Sequence, residues 1–117
     1  KKYDLKTFKN KSRFFAMTAH VIFKNIDNTN TVTHSKKMIN YIRKKIGFKN
    51  IIISDDLSMK SLKDNIEKST IKAFDAGCNL SLHCNGNIDE MKIVANNSPL
   101  ISKFILKKTS QFYKILS

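Results

Sequence analysis

Three short apolar runs alternate along the chain with segments whose apolar residues recur at helical spacing. The runs are "FFAMTAHVIF" (14–23), "NIIIS" (50–54) and "NLSLHC" (79–84). They are apolar on both sides, which is typical of strands in a parallel sheet that is covered by helices. The order strand, helix, strand, helix, strand, helix therefore predicts an α/β fold built of consecutive βα units.

The segments between and after these runs carry helix signals. Residues 35–48 place isoleucines at helical spacing between Ser35, a good N-cap, and Gly47, a good terminator. A second helix is predicted over residues 62–76, because its apolar residues share one face and a glycine follows it. The tail predicts two more helices; Ser98 caps the last of them, and Pro99 occupies its first position.

The charge balance raises the question of a nucleic-acid partner. The 117 residues include 22 Lys and Arg against 9 Asp and Glu, a net charge of +13. Clustered cations bind phosphate by releasing counterions. Here the lysines are scattered through every segment, and the two arginines stand apart with no aromatic platform around them. This distribution favours a solvated basic surface over a nucleic-acid site.

The cysteines and the hydropathy pattern indicate the compartment. Cys78 and Cys84 lie in or beside an apolar segment, which favours reduced, buried thiols in an intracellular protein. Together with His83 they lack the spacing of zinc ligands, and His83 is more consistent with a structural role. The sequence has no apolar run near 18 residues and no signal-peptide pattern. We therefore predict a protein of the cell interior without a transmembrane helix.

Two adjacent carboxylates follow the second apolar run, in "IIISDDLSMK" (51–60). In parallel α/β folds the active site lies at the carboxyl ends of the strands. Because successive strand residues point to opposite faces, Asp55 and Asp56 do not aim at one point unless the strand is interrupted at Ser54. Residue chemistry alone leaves Asp55 divided between a helix cap and a functional carboxylate, and it favours capping or loop bracing for Asp56. His20, in the first predicted strand, reads by itself as a hydrogen-bonded core histidine.

Four pieces of the sequence together resemble the bacterial β-N-acetylhexosaminidases of glycoside hydrolase family 3. They are "MTAHVIF", "ID", "IRKKIGFKNIIISDDLSMK" and "AGCNLSLHCN", and "DLKTFK" before them is similar to the family's "DL…F" segment. Their order and spacing match the family, and "SDDLSM" is the specific motif among them. The resemblance implies a TIM-type (β/α)8 barrel. Residues 1–117 would form a single partial domain. This domain would be the C-terminal part of the barrel, with about three βα units plus C-terminal helices.

The resemblance also implies a reaction. Enzymes of this type remove terminal β-linked N-acetylglucosamine with retention, through a covalent glycosyl-enzyme. Asp55, the first acid of the motif, matches the family nucleophile, whereas Asp56 and Ser54 would give structural support. His20 and Met59 are candidates for the substrate pocket.

The likeness to the peptidoglycan-recycling type extends these expectations. We expect a cytoplasmic enzyme that acts on muropeptides containing N-acetylglucosamine, without a metal, a cofactor, a nucleic acid or a membrane as partner. The complete enzyme is expected to be a monomer. The family's acid/base residue is a His in a "KH…PGHG…DSH" segment upstream of "DL…F", and the 117 residues do not include it. We therefore expect the isolated chain to be inactive.

Three alternatives remain at this point. A family 3 β-glucosidase would carry a "DW" pattern where this sequence has "DDLSM". A small basic nucleic-acid-binding module would need its cations on one face with aromatic residues between them. A receiver-like α/β domain that holds Mg²⁺ by the acid pair would need a lone Asp and a Lys at later strand ends, and none stands there.

Overall fold

In a computed structural model, which describes residues 5–8 and 13–117, the chain forms a three-stranded parallel sheet with four α-helices among the described residues. The strands are β1 (Phe15–Met17), β2 (Ile51–Asp56) and β3 (Leu80–Leu82). The helices are α1 (Lys36–Tyr41), which continues as a π-helical turn (Ile42–Ile46), α2 (Ile66–Ala76), α3 (Ile88–Asn96) and α4 (Lys103–Leu116). The predicted α/β fold with parallel strands is confirmed. The "DLKTFK" segment begins outside the described residues.

The strand β2 lies in the middle of the sheet, in the order β1-β2-β3. Both of its neighbours run parallel to it, with Phe15 opposite Ile51 and Ile53 opposite Leu80. Because parallel neighbours need a crossover, helices connect successive strands and pack on the sheet. This order brings the carboxyl ends of all three strands to one edge of the molecule.

The core lies between the sheet and the helices α1 and α2. Its buried residues come from β2, from both helices and from the segments that follow β2 and α2; they are Ile39, Ile52, Leu57, Ala73, Ala76 and Cys78. At the end of α2, Gly77 has φ 117°, and an added Cβ would lie 2.9 Å from Ile39 Cγ2. The absence of a side chain there lets α1 and α2 approach each other closely.

Several predicted boundaries are wrong, each for a local reason. The first strand ends at Met17 rather than near residue 23, because the chain leaves the sheet as a loop beyond that point. The helix α2 begins after Asn65, whose side chain accepts the Lys68 amide. The last helix is capped by Ser102 instead of Ser98. The Ser98 hydroxyl donates to the Val94 carbonyl at 2.7 Å, so it closes α3.

The amino-terminal end of the sheet is held by a half-buried guanidinium. Arg43 donates hydrogen bonds to the carbonyls of Phe48 and Asn50 at 3.0 and 2.5 Å, and to Asn79 Oδ1 at 2.7 Å. The same Asn79 oxygen accepts the Ile52 amide, so this contact links the first residues of β2 to the start of β3. The guanidinium also lies 5.7 Å from the ring centroids of both Phe48 and Phe104, which ties α4 to this end.

The outer edge of β1 is apolar, and no strand of the described residues pairs with it. Met17 is 58% exposed, and Val21 and Ile22, in the loop that follows, are also exposed. Beside this strand lies a groove of about 410 Å³, whose lining includes Phe15, Met38 and Phe48. Exposed apolar surface along an unpaired strand invites association with further chain. Within residues 5–8 and 13–117, no helix has the length and apolar character needed to cross a membrane.

Candidate functional site

The carboxyl end of β2 contains an irregularity in strand pairing. Ile53 lies opposite Leu80, but Asp56 lies opposite Leu82, so β2 takes three residue steps where β3 takes two. The buried side chain of Ser54 accepts the Leu82 amide at 2.9 Å and fills the gap in the ladder. Such an extra residue bends a strand and changes where the next side chains point. Simple alternation of faces therefore does not hold across the acid pair.

The carboxylate of Asp55 is anchored through one oxygen. Its Oδ1 accepts the N–H of Asp56 at 2.8 Å, and its own N–H donates to Thr18 Oγ1 at 3.1 Å. In the described part of the chain, no group donates a hydrogen bond to the second oxygen, Oδ2. The side chain is half-buried. One oxygen of this acid is thus fixed while the other remains free to meet a ligand.

The carboxylate of Asp56 has different partners. It accepts the amide and the hydroxyl of Ser58 at 3.0 and 2.8 Å, and the amide of Cys84 at 3.0 Å. Burial acts to raise the pKa of Asp56, but these hydrogen bonds and nearby His83 outweigh it and hold the pKa below its ordinary value. The side chain therefore joins the loop after β2 to the loop after β3.

His20 lies in the loop after β1 instead of in a strand, as a correction to the sequence prediction. Its Nε2 lies 2.7 Å from the carbonyl oxygen of Asp56, and its Nδ1 lies 2.9 Å from Thr33 Oγ1. Thr33 Oγ1 in turn lies 2.8 Å from Thr18 Oγ1. The two threonines are buried, and Thr33 has no exposed surface. The structure therefore brings His20 to the backbone of the acid pair.

The other sequence candidates lie around this edge. Met59 is 44% exposed, and its amide donates to the Asp56 carbonyl at 3.2 Å. His83 is half-buried, with its side chain 6% exposed, and is bonded through Nε2 to Glu90 at 2.7 Å, while within the described residues its Nδ1 has no hydrogen-bond partner. The hydrogen bond from His83 and a second one from Asn85 lower the pKa of Glu90. In the part of the chain that the structure describes, no group of three His, Cys, Asp or Glu side chains is arranged to hold a metal ion.

The cysteines are both free, but only Cys78 is buried. The prediction that both are buried is wrong for Cys84, because β3 ends at Leu82 and the following loop carries Cys84 to the surface. Loss of hydration, together with the carboxylates of Asp56 and Asp55, raises the pKa of the Cys84 thiol. This side chain therefore presents a neutral thiol at the rim of the acid pair.

Two residues of this region were missed by sequence reasoning. Thr33 sits in a stretch rich in Thr and Asn that carries only a loop signal. Asp27 precedes the same stretch and is 6% exposed. Its carboxylate accepts the amides of Thr29 and Asn30 at 3.1 Å each, and the Ser35 hydroxyl at 2.7 Å. Because Ser35 also caps α1, Asp27 fixes the loop that carries Thr33.

Replacing Asp27 by Asn should destabilise the fold in a pH-dependent way. The Ser35 hydroxyl first, and then the loop amides, hold the pKa of Asp27 well below its usual range. A lowered folded-state pKa gives stability that is present above the unfolded pKa, about 4, and is lost as pH falls through the folded value. At pH 7 we expect Asp27→Asn to lower the unfolding free energy by about 1–3 kcal/mol. This difference from the original chain should become smaller as the pH falls below about 4.

Urea unfolding of the chain at several pH values, followed by tyrosine fluorescence at submicromolar concentration, measures this difference. Asp75→Asn, at an exposed position on α2, is the matched control. A difference between Asp27→Asn and the original chain that stays constant between pH 7 and pH 2.5 would show that the Asp27 charge does not contribute.

Comparison with known proteins gives a consistent result. The profile of the "Glycosyl hydrolase family 3 N terminal domain" matches residues 8–110. A curated beta-hexosaminidase from Shewanella frigidimarina is 38% identical over 74 residues, which are 62% of this chain and 22% of that protein. A beta-hexosaminidase from Psychromonas ingrahamii is 30% identical over 118 aligned residues, which cover 96% of this chain and 33% of that protein.

Solved structures give the same picture for the fold. Native NagZ from Neisseria gonorrhoeae matches with a TM-score of 0.71 and 24% identity, over 91% of this chain and 30% of that chain. The beta-N-acetylglucosaminidase from Thermotoga maritima matches with a TM-score of 0.65 and 24% identity, over 95% of this chain and 26% of that chain. The chain spans about a quarter of the length of the curated relatives that match it.

Proposed function

The chain belongs to glycosyl hydrolase family 3, and from this premise we propose that its residues form the C-terminal part of a (β/α)8 barrel in a β-N-acetylhexosaminidase. The three parallel strands would be three neighbouring strands of that barrel, and α3 and α4 would follow them along the chain. The apolar open edge of β1 and the small share of each relative's length that the chain matches support this assignment.

A single observation carries the catalytic proposal: Asp55 stands at the carboxyl end of the central strand with one oxygen anchored and the other without a hydrogen bond from the described residues. We assign Oδ2 as the attacking atom. It forms a bond to the anomeric carbon while the glycosidic C–O bond breaks, and the leaving oxygen takes a proton from an acid that these 117 residues do not supply. Water then hydrolyses the glycosyl ester, so the product retains the β configuration.

The substrate assignment rests on the relatives and on the "SDDLSM" motif. The matched curated relatives are named beta-hexosaminidases. We propose that the complete enzyme is a monomer. It would remove terminal β-linked N-acetylglucosamine from peptidoglycan fragments in the cytoplasm. In this enzyme, His20 and Met59 would border the sugar site, and Asp56 would hold the loops after β2 and β3 together.

Activity is tested in an assembled enzyme. This enzyme joins the chain to the part of the Psychromonas ingrahamii relative that lies outside its match, so that a complete barrel is present. We expect it to cleave an aryl β-N-acetylglucosaminide much faster than the matching aryl β-glucoside, and proton NMR should detect the β anomer first. Equal rates on both substrates would favour a glucosidase. Initial formation of the α anomer would contradict a retaining mechanism.

The isolated chain should behave differently from the assembled enzyme. The exposed apolar residues along β1 and the groove beside it have no covering strand within the described residues, so we expect self-association at micromolar concentrations and no hydrolysis. Sedimentation velocity over a concentration series measures the association. Replacing Met17 by Lys should weaken it, whereas replacing the exposed Lys92 by Met, on α3 and outside the groove lining, should not. A monomeric chain across the whole series would contradict the proposal of an open edge.

A further inference from the structure

A closed set of hydrogen bonds surrounds the backbone of the acid pair. The Asp55 amide donates to Thr18 Oγ1, and the Asp56 carbonyl lies 2.7 Å from His20 Nε2. Between these two ends, Thr33 bridges Thr18 and His20 at 2.8 and 2.9 Å. The set therefore begins at the amide of one acid and ends at the carbonyl of the next.

The donors and acceptors of this set have one consistent direction when the imidazole is neutral. A carbonyl oxygen can only accept, so Nε2 of His20 carries the proton and Nδ1 is an acceptor. The Thr33 hydroxyl must then donate to Nδ1, and Thr33 Oγ1 accepts from the Thr18 hydroxyl. Thr18 Oγ1 in turn accepts the Asp55 amide. Every member is satisfied, and fully satisfied buried networks hold one geometry.

We propose that Thr18, Thr33 and His20 form a positioning network that fixes the backbone of Asp55 and Asp56 and thereby aims the Asp55 carboxylate. None of the three acts on the sugar in this role. Thr33 is the central member, because it is fully buried and, among the residues that the structure describes, is the only link between Thr18 and His20. The strand β2 needs such external support because its pairing with β3 is irregular between Ile53 and Asp56.

The inference rests on the proposed function, and removal of one hydroxyl tests it. In the assembled enzyme, Thr33→Val keeps the shape of the side chain and removes the link. We expect kcat to fall roughly 10–100-fold with KM changed less than about threefold, because a small displacement of the attacking group is costly to the chemical step. Thr33→Ser, which keeps the hydroxyl, should restore most of the loss. Thr70→Val is the matched control, because Thr70 is equally buried but its hydroxyl bonds within α2.

A second measurement does not depend on activity. Nitrogen-15 NMR of the histidine rings in the assembled enzyme, in mildly alkaline buffer, should show the ring proton of His20 on Nε2, and Thr33→Val should shift Nδ1 towards the value of a free ring nitrogen. A proton on Nδ1, or full kcat in Thr33→Val, overturns the positioning network. Activity that survives Asp55→Ala overturns the proposed function instead, so the two failures are distinguishable.

Discussion

Asp55→Ala in the assembled enzyme should abolish hydrolysis of the aryl β-N-acetylglucosaminide, with a fall in kcat of at least about 10³-fold. The variant removes the only carboxylate that stands at the end of the central strand with an oxygen free of hydrogen bonds from the described residues. No glycosyl ester can form without it. The fold should remain, because the lost hydrogen bond joins Asp55 only to the amide of its neighbour.

Added azide distinguishes a lost nucleophile from a damaged structure. In the small space left by Asp55→Ala, azide can attack the anomeric carbon directly, and a single displacement yields the α-glycosyl azide. We expect that product from Asp55→Ala and not from the unsubstituted enzyme. Asp75→Ala, an exposed acid on α2, is the control and should retain normal turnover. Normal turnover in Asp55→Ala would remove Asp55 from the role of nucleophile.

The largest loss of stability is expected from Arg43→Ala. The substitution leaves the carbonyls of Phe48 and Asn50 and the amide oxygen of Asn79 without their charged donor, and it removes the cation between two aromatic rings. Hydrogen bonds to a charged group contribute more than neutral ones, and half-buried acceptors left unpaired add a further cost. We expect a decrease of roughly 3 kcal/mol or more in unfolding free energy.

Two further substitutions define what Arg43 contributes. Arg43→Lys retains the charge but cannot reach three separate acceptors with a planar fork, so it should recover only part of the loss. Lys45→Ala, on the exposed side of the same helical segment, should change stability by less than about 0.5 kcal/mol. Urea unfolding of the three variants measures these differences. Equal effects of Arg43→Ala and Lys45→Ala would show that the guanidinium contacts do not hold this end of the sheet.

The parts of the fold that the sequence predicted correctly depend on local signals. The apolar run of β2, the N-cap Ser35 of α1 and Gly47 after the π-helical turn act through neighbours a few positions away. The errors involve partners distant in sequence. The first strand was predicted too long because an apolar run does not show where pairing with β2 ends. The sequence predicts Ser98 as the cap of the last helix, but its hydroxyl donates to the Val94 carbonyl, a contact that the sequence alone does not indicate.

The candidate site shows the same division. The motif predicted Asp55 and Asp56 at a strand end, and the structure places them there, although the roles assigned to them remain predictions. The role of Thr33 could not be predicted from the sequence, because its hydrogen-bond partners lie 13 and 15 positions away and its neighbours in sequence indicate only a loop. The exposure of Cys84 depends on where β3 ends, and the short run of two leucines around Ser81 does not define that point. Contacts of this kind arise only when the strand ends are brought together.

The irregular pairing of β2 with β3 makes the segment from Ile53 to Asp56 sensitive to its length as well as to its composition. Between Ile53 and Asp56, β2 takes three residue steps while β3 takes two. The adjacent acids Asp55 and Asp56 therefore have separate hydrogen-bond partners. Deleting one residue between Ile53 and Asp56 would restore regular pairing and rotate the following acid into the place of its neighbour. A conservative replacement of Ile53, which takes no part in the proposed chemistry, should be tolerated far better than any insertion or deletion in this segment. Homologous enzymes should accordingly keep the number of residues in this segment.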